Sequence, residues 1–241
     1  MKRILVLLTA AVLLLGLCAC GSTANEPQNT TSNTSNNTQD TPESTAANSE
    51  ASNPDTSSGT EQTTEPGNEP KILVVYFSRT GEQYTVGTID KGNTAIVAEM
   101  IAEKTGADLY EILPETDYPY TYSALTDVAK KEQNNNDRPK IKGELPDVSK
   151  YDTIFIGAPV WWGDWPMICY TFFESVDLSG KKLVPFSTHE GSGLSGFDRK
   201  LASAVPDATV LSGQAFRGND CQNKQSDVKS IVNKWIDGLG Y

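Results

Sequence analysis

Ser78-Arg79-Thr80-Gly81 follows a short apolar run, and Gly92-Asn93-Thr94 opens the next helical pattern. Hydroxyls, a glycine and a helix start placed after a strand can hold an anion. Free backbone N–H groups point outward there, and the helix dipole favours negative charge by roughly 0.3–1 kcal/mol, up to ~2 when partly buried. The plainer alternative is a serine- and threonine-rich loop that only caps a helix. A second segment, Ala158-Pro159-Val160-Trp161-Trp162-Gly163-Asp164-Trp165, places three tryptophans in eight residues. Aromatic faces on a loop imply something flat to cover, although Trp165, beside Pro166, is expected to pack back on the domain. The third segment, Thr188-His189-Glu190-Gly191-Ser192-Gly193, contains the sole histidine, with two glycines that permit close backbone approach.

Competing chemistries find little support. No residues have metal-ligand spacing, and there is no Ser/His/Asp order, catalytic cysteine or carboxylate pair with an evident substrate pocket. Of four cysteines, only Cys169 and Cys221 lie beyond the N-terminal segment, too few for a disulfide scaffold. Cys169 falls in a helical apolar run and reads as a small buried thiol.

The elements that must position these loops alternate strand and helix. Lys71–Phe77 is β-branched and aromatic without alternation, the pattern of a central parallel strand covered on both faces. A helix is predicted over Thr94–Lys104 with Gly106 as its stop, then a strand at Ala107–Ile112 and a polar surface helix at Tyr122–Asn134. Further strands are predicted at Thr153–Gly157, Lys182–Ser187 and Ala208–Leu211. Helices are expected after Pro166, which suits a first turn, at Leu194–Ala204 and at Ser226–Leu239, the last with Val228, Ile231, Val232, Trp235 and Ile236 inward. Repeated βα units imply a parallel sheet between two helical layers. In such a sheet, ligands bind outside the carboxyl ends of the strands, where all three unusual loops emerge.

The N-terminal 70 residues have another character. Lys2 and Arg3 precede the apolar Ile4–Leu17, too short for a comfortable membrane span, and Leu17-Cys18-Ala19-Cys20-Gly21 resembles a bacterial lipobox. Residues 1–20 are therefore expected to be a lipoprotein signal peptide, with Cys20 diacylated after cleavage. Ordinary secretory cleavage near Ala19 is the alternative. In residues 21–70, 30 of 50 are Ser, Thr, Asn or Gln, the apolar side chains are four alanines, and eight residues are acidic with none basic. Such a segment cannot bury enough surface to offset its ordering entropy and is expected to be a disordered tether reaching about 40 Å. It carries most of the formal charge of −11, so the acidity describes the tether, and nucleic acid is an unpromising partner. The expected location is the outer face of a bacterial cytoplasmic membrane, through the lipid anchor.

With these three motifs in view, residues 71–239 resemble the flavodoxin family. The branch in question has an expanded phosphate loop and the signatures Tyr76-Phe77-Ser78-Arg79-Thr80-Gly81, Pro159-x-Trp161-Trp162-Gly163 and Thr188-His189-Glu190-Gly191-Ser192-Gly193. The resemblance implies an α/β fold, a flavodoxin-like doubly wound five-stranded parallel sheet of order 2-1-3-4-5, and non-covalent FMN. It implies phosphate contacts from Ser78, Arg79, Thr80, Gly81, Asn93 and Thr94. Flavin-ring contacts are implied from Pro159, Val160, Trp161, Trp162 and Gly163, and from Thr188, His189, Glu190, Gly191, Ser192 and Gly193. Many flavodoxins run from Thr-Gly directly into Asn-Thr; here Glu82–Gly92 intervene, and which of Gln83–Thr88 touch the cofactor stays open.

The function implied is electron transfer between redox partners, with an NAD(P)H- or quinone-reactive FMN-dependent oxidoreductase as the alternative and a flavin-free surface binding module as a third. A stacked, apolar, acidic surround would disfavour the anionic reduced flavin. His189 would lie along the flavin's edge. As an imidazolium it would favour the reduced form and act pH-dependently around ~6.5. The alternative is a structural histidine bonded to Glu190 or the backbone.

Overall fold

The computed structural model describes residues 71–241. The expected signal peptide (1–20), the expected lipidation site Cys20 and the expected linker (21–70) lie outside the described residues. The first strand, β1 (Ile72–Tyr76), is buried along its whole length. Its alternating side chains feed two cores. Leu73 and Val75 join one; Ile72, Val74 and Tyr76 join the other. A uniformly apolar strand is what such two-sided burial requires.

A two-stranded hairpin follows, β2 (Gly81–Gln83) and β3 (Gly87–Ile89), antiparallel and separate from the main sheet. The remaining elements are α1 (Asn93–Thr105), β4 (Asp108–Glu111), α2 (Tyr122–Asn135), β5 (Thr153–Pro159), α3 (Met167–Ser175), β6 (Lys182–His189), α4 (Phe197–Ala204), β7 (Thr209–Val210), β8 (Gln214–Arg217), α5 (Gly218–Asn223) and α6 (Gln225–Leu239). The main sheet is parallel throughout, in the order β4-β1-β5-β6-β7, with β8 also paired to β6. With β7 and β8 counted as two halves of one fifth strand, this is the 2-1-3-4-5 order expected.

The break in that fifth strand has a cause on its neighbour. The Lys182 N–H donates to Asp152 on the β5 side, so residues 183 and 185 face the fifth strand, and Leu183 accepts from the Leu211 N–H at 2.8 Å. Pro185 has no N–H to continue that ladder. The chain detours opposite it through Ser212 and Gly213, and a side chain at Gly213 would come within 2.9 Å of the Pro185 ring. Pairing resumes at Gln214 opposite Phe186.

On one face α1 and α6 close the sheet. Val97 and Ile101 are fully buried there, each contributing about 1.5–3 kcal/mol relative to exposure. In α6 the buried stripe is Val228, Val232 and Ile236, strictly four residues apart. Ile231, expected inward, is instead 47 % exposed. The stripe facing the sheet is narrow, and Trp235 supplies its flank by packing edge-on against Phe155 at 5.5 Å and Phe216 at 6.0 Å. On the other face α3 and α4 pack against Ile154, Ile156 and Ala158. Pro166 stands at the N-cap of α3, one position earlier than a first-turn placement. Helix α2 is thinly attached, burying only Leu125 and Ala129. No helix of the described residues is long and apolar enough to cross a membrane.

Candidate functional site

The loops after β1, β5 and β6 meet at the carboxyl edge of the sheet. At the first, Ser78 Oγ accepts the Ala95 N–H at 3.0 Å, which pins the loop to the first turn of α1. Gly92, the N-cap, lies against that loop so closely that a Cβ would overlap Ser78 Oγ and approach the Arg79 carbonyl oxygen and nitrogen to 2.7 and 2.9 Å. The backbone N–H groups of Arg79, Thr80, Asn93 and Thr94 donate to nothing among the described residues. A tight loop with unengaged N–H groups at a helix N-terminus has the donor set of a phosphate cradle.

The Arg79 guanidinium is otherwise occupied. It donates to the carbonyls of Glu82 (2.7 Å), Pro119 (2.6 Å from Nη2) and Tyr120. Burial lowers its pKa somewhat, with Glu82 opposing. The side chain thus clamps the hairpin and the approach to α2, and the backbone N–H is its contribution to the cradle. Gly81, at φ +88°, starts the hairpin.

The second loop forms a tight turn closed by mutual hydrogen bonds between Trp161 and Asp164, at 3.0 and 2.9 Å. Both central residues have positive φ, Trp162 at 51° and Gly163 at 74°, the type I′ pattern. Glycine adopts it freely, whereas a tryptophan there carries strain of order 1–3 kcal/mol. Helix α2 holds it. The Trp162 indole N–H donates to the Thr126 carbonyl at 2.9 Å, and Lys130 lies over its ring at 5.0 Å. Trp161 is half-buried, edge-on to Phe77 and Tyr118. Trp165 is 1 % exposed, stacked on Phe197 at 3.7 Å, with its N–H on the Phe197 carbonyl. It packs back on the domain as expected.

The third loop is braced at both ends. The Thr188 and Thr94 hydroxyls share a buried 2.8 Å hydrogen bond, joining the third loop to the first turn of α1. Ser187 Oγ donates to the Gly193 carbonyl. Glu190 accepts the Asn219 N–H at 2.6 Å and pairs with Arg217 at 3.1 Å. Asn93 is tied to Gln222 at 2.7 Å. His189 Nδ1 accepts the Gly191 N–H at 2.8 Å, which places its proton on Nε2. Burial lowers its pKa below 6.5, and Arg217 adds to this against the opposing Glu190. At neutral pH His189 is therefore a neutral ring bonded to its own backbone.

Between these loops lies a cleft of about 550 Å³, lined by Asn93, Pro159–Trp162 and Thr188–Ser192. Ser78, Arg79, Thr80, Gly81, Thr94, Gly163 and Gly193 do not line it. The first five surround the cradle beside it, and the last two belong to the second and third loops. The opposite wall comes from Gln83, Tyr84 and Val86 of the hairpin, within the stretch whose contacts the sequence left open, and from Tyr122, Leu125, Thr126 and Ala129 of α2, which was not anticipated. The spacing of Tyr122, Leu125 and Ala129 on an otherwise polar helix was the available signal. Glu82 docks the two pieces, its carboxylate accepting the Tyr122 N–H at 2.8 Å. Both free thiols are buried, Cys221 pushed up to about 12 and Cys169 well above its usual range, so neither is a nucleophile. No cluster of His, Cys, Asp and Glu among the described residues could hold a metal ion.

A doubly wound sheet of order 2-1-3-4-5, with unengaged N–H groups after its first strand and an aromatic cleft beside them, has the flavodoxin-like arrangement of the open α/β class. The sequence model of the flavodoxin family matches residues 71–237, and the chain belongs to that family. It is similar to a candidate flavoprotein from Bacteroides eggerthii, with 30 % identity, covering 72 % of this chain and 99 % of that one, at a TM-score of 0.58. A second, from Bacteroides uniformis, is also 30 % identical over 70 % and 99 % of the two chains, at 0.54. A flavoprotein from Lactobacillus acidophilus, solved in complex with FMN, shares the fold at 24 % identity over 66 % and 99 %, at 0.51. No curated protein matches the chain.

Proposed function

We propose that the protein binds FMN and carries electrons at the outer face of a bacterial membrane, tethered through Cys20 and residues 21–70. The observation that carries this reading is the cradle, in which Gly92 closes on Ser78 and Arg79 and leaves several backbone N–H groups without partners. Ser78–Thr80, Asn93 and Thr94 would hold the phosphate. Pro159–Gly163 and Thr188–Gly193 would hold the ring. FMN supplies one- and two-electron chemistry; the protein orients and tunes it. The Thr94–Thr188 bond fixes the distance between phosphate and ring loops before the cofactor arrives. A neutral His189 offers a hydrogen bond and no charge.

A second reading, an FMN-dependent oxidoreductase acting directly on a small molecule, is supported by the extra wall from the hairpin and α2. Titration of the purified protein with FMN tests the first step. Quenched flavin fluorescence and a yellow protein are expected; a colourless protein that leaves free FMN unquenched would mean a flavin-free binding module. Photoreduction in two separate one-electron stages supports the carrier, and bleaching by NAD(P)H alone the oxidoreductase.

A further inference from the structure

The cleft has two halves of different origin. The ring loops form one. The other comes from the inserted hairpin and α2, through Tyr84, Val86, Tyr122, Leu125, Thr126 and Ala129. Since Ser78, Arg79, Thr80 and Thr94 lie outside the lining, the 550 Å³ is space for a ring and for something laid beside it. We propose that the second half is a subsite for a flat, uncharged aromatic electron acceptor of the quinone class. The proposal rests on the FMN reading and gives its small-molecule partner a chemistry.

Tyr84 and Tyr122 stack on each other at 5.6 Å and 30°, yet remain 56 % and 36 % exposed. Two large aromatic faces left in water at the mouth of a cleft are best accounted for by a planar ligand that covers them. The hairpin that presents Tyr84 and the start of α2 that presents Tyr122 are tied in place. Glu82 Oε2 takes the Tyr122 N–H, Arg79 clamps the carbonyls of Pro119 and Tyr120, and Thr85 is kept at φ 57° beneath a Val86–Tyr84 bond. Trp162 is fixed on the same side by Thr126 and Lys130.

Charge chooses among planar ligands. No side chain lining this half is ionised, and the nearby cations are engaged, Arg79 with carbonyls and Lys130 with the Trp162 ring and Gln133. The N-terminus of α2, which could receive a phosphate, is already occupied by the Glu82 carboxylate. A dinucleotide would bring its diphosphate to an edge whose cations are engaged and whose helix N-terminus already holds the Glu82 carboxylate; a quinone brings no such charge. The two hydroxyls of Tyr84 and Tyr122 are the donors available to quinone carbonyls. In the transfer this implies, the quinone gains two electrons and two protons and leaves as the quinol, while reduced FMN loses both and becomes oxidised FMN.

The test uses the full chain loaded with oxidised FMN and titrated with 1,4-naphthoquinone, followed by calorimetry and by the flavin absorption band. Saturable binding that perturbs the flavin is expected, and NAD⁺ should show none under the same conditions. The double variant Tyr84→Ala/Tyr122→Ala should weaken naphthoquinone at least about tenfold, the size expected from two lost aromatic faces, and Tyr84→Phe/Tyr122→Phe should recover the stacking share of that loss but not the share of the two hydroxyl donors. Failure of the wild type to take up FMN would sink the cofactor reading and this proposal with it. FMN uptake without naphthoquinone binding, or NAD⁺ binding equally well, overturns the subsite alone. So does parallel loss of FMN and naphthoquinone in the alanine variant, because the wall would then belong to the flavin site.

Discussion

Replacing Gly92 with alanine probes the cradle at its tightest point. The Gly92 backbone, at φ −67° and ψ 146°, is one that any residue adopts, so dihedral strain is not at issue. By itself, a compatible Gly→Ala change stabilises by roughly 0.4–1 kcal/mol through the unfolded chain. Against this, the new methyl would sit 2.7 Å from the Arg79 carbonyl oxygen and overlap Ser78 Oγ. Neither neighbour is free to retreat. Ser78 is held by the Ala95 N–H and Arg79 by its carbonyl partners. Overpacking of this kind costs about 1–3 kcal/mol, leaving a net destabilisation of about 0–2.5 kcal/mol. For a domain of this size that lowers the melting temperature by up to about 10 °C.

The effect on FMN should be larger. Displacing the loop by a few tenths of an ångström misaligns N–H groups aimed at a dianion, and losing one hydrogen bond to a charged group costs about 1.5–3 kcal/mol. Affinity should then fall roughly ten- to 150-fold. Thermal melts with and without FMN, together with a fluorescence-quenching titration, separate the two effects. A variant that melts normally and binds FMN as tightly as wild type refutes the close packing. One that melts lower yet keeps full affinity refutes the idea that this packing shapes the anion site.

The other predictions address separate links. Gly238→Ala, inside α6 with nothing within 4 Å of the added methyl, should stabilise by about 0.5–1 kcal/mol, read as a higher urea midpoint. Thr188→Val strands the buried Thr94 hydroxyl and should cost about 1–3 kcal/mol, whereas Thr94→Val/Thr188→Val together should cost no more than the single change, a coupling visible in a double-mutant cycle. His189 has a folded-state pKa below its unfolded value, so the unfolded chain binds the extra proton first and stability falls as pH drops below about 6.5. His189→Gln should flatten that part of the stability-versus-pH curve, and an unchanged slope would show the ring to be freely solvated.

The main elements were legible because they rest on periodicity, whereas the sheet order was implied by the family resemblance. A run such as Ile72–Tyr76 has no polar face to offer water, and Pro/Gly punctuation falls between elements. The motifs were legible for the same local reason, since each sits directly after a strand. What escaped depends on contacts remote in sequence. Pro185 breaks the strand beside it, which no reading of Ala208–Leu211 alone could show. The insertion forms only two three-residue strands, which pair with each other and not with the main sheet. Glu190 looked like a ring-loop residue, and its partners Arg217 and Asn219 are 27 and 29 positions away. For His189 a bond to the backbone was one of the alternatives, and Gly191 supplies it from two positions away; its burial, by contrast, is a fact of packing.

These contacts divide the site into a stiff side and a soft one. The cradle and ring loops hang from fully buried strands and are cross-tied by Thr94–Thr188, Ser78–Ala95 and Glu190–Asn219. The facing wall hangs from α2, which buries two side chains, and from a hairpin of two three-residue strands. Local opening follows buried contact density, so the wall should open well before the cradle does. A cofactor held tightly and a partner exchanged at each turnover need opposite kinetics. On the proposed reading the cofactor would lie against the sheet, and the exchanging partner against the wall with the fewest buried contacts.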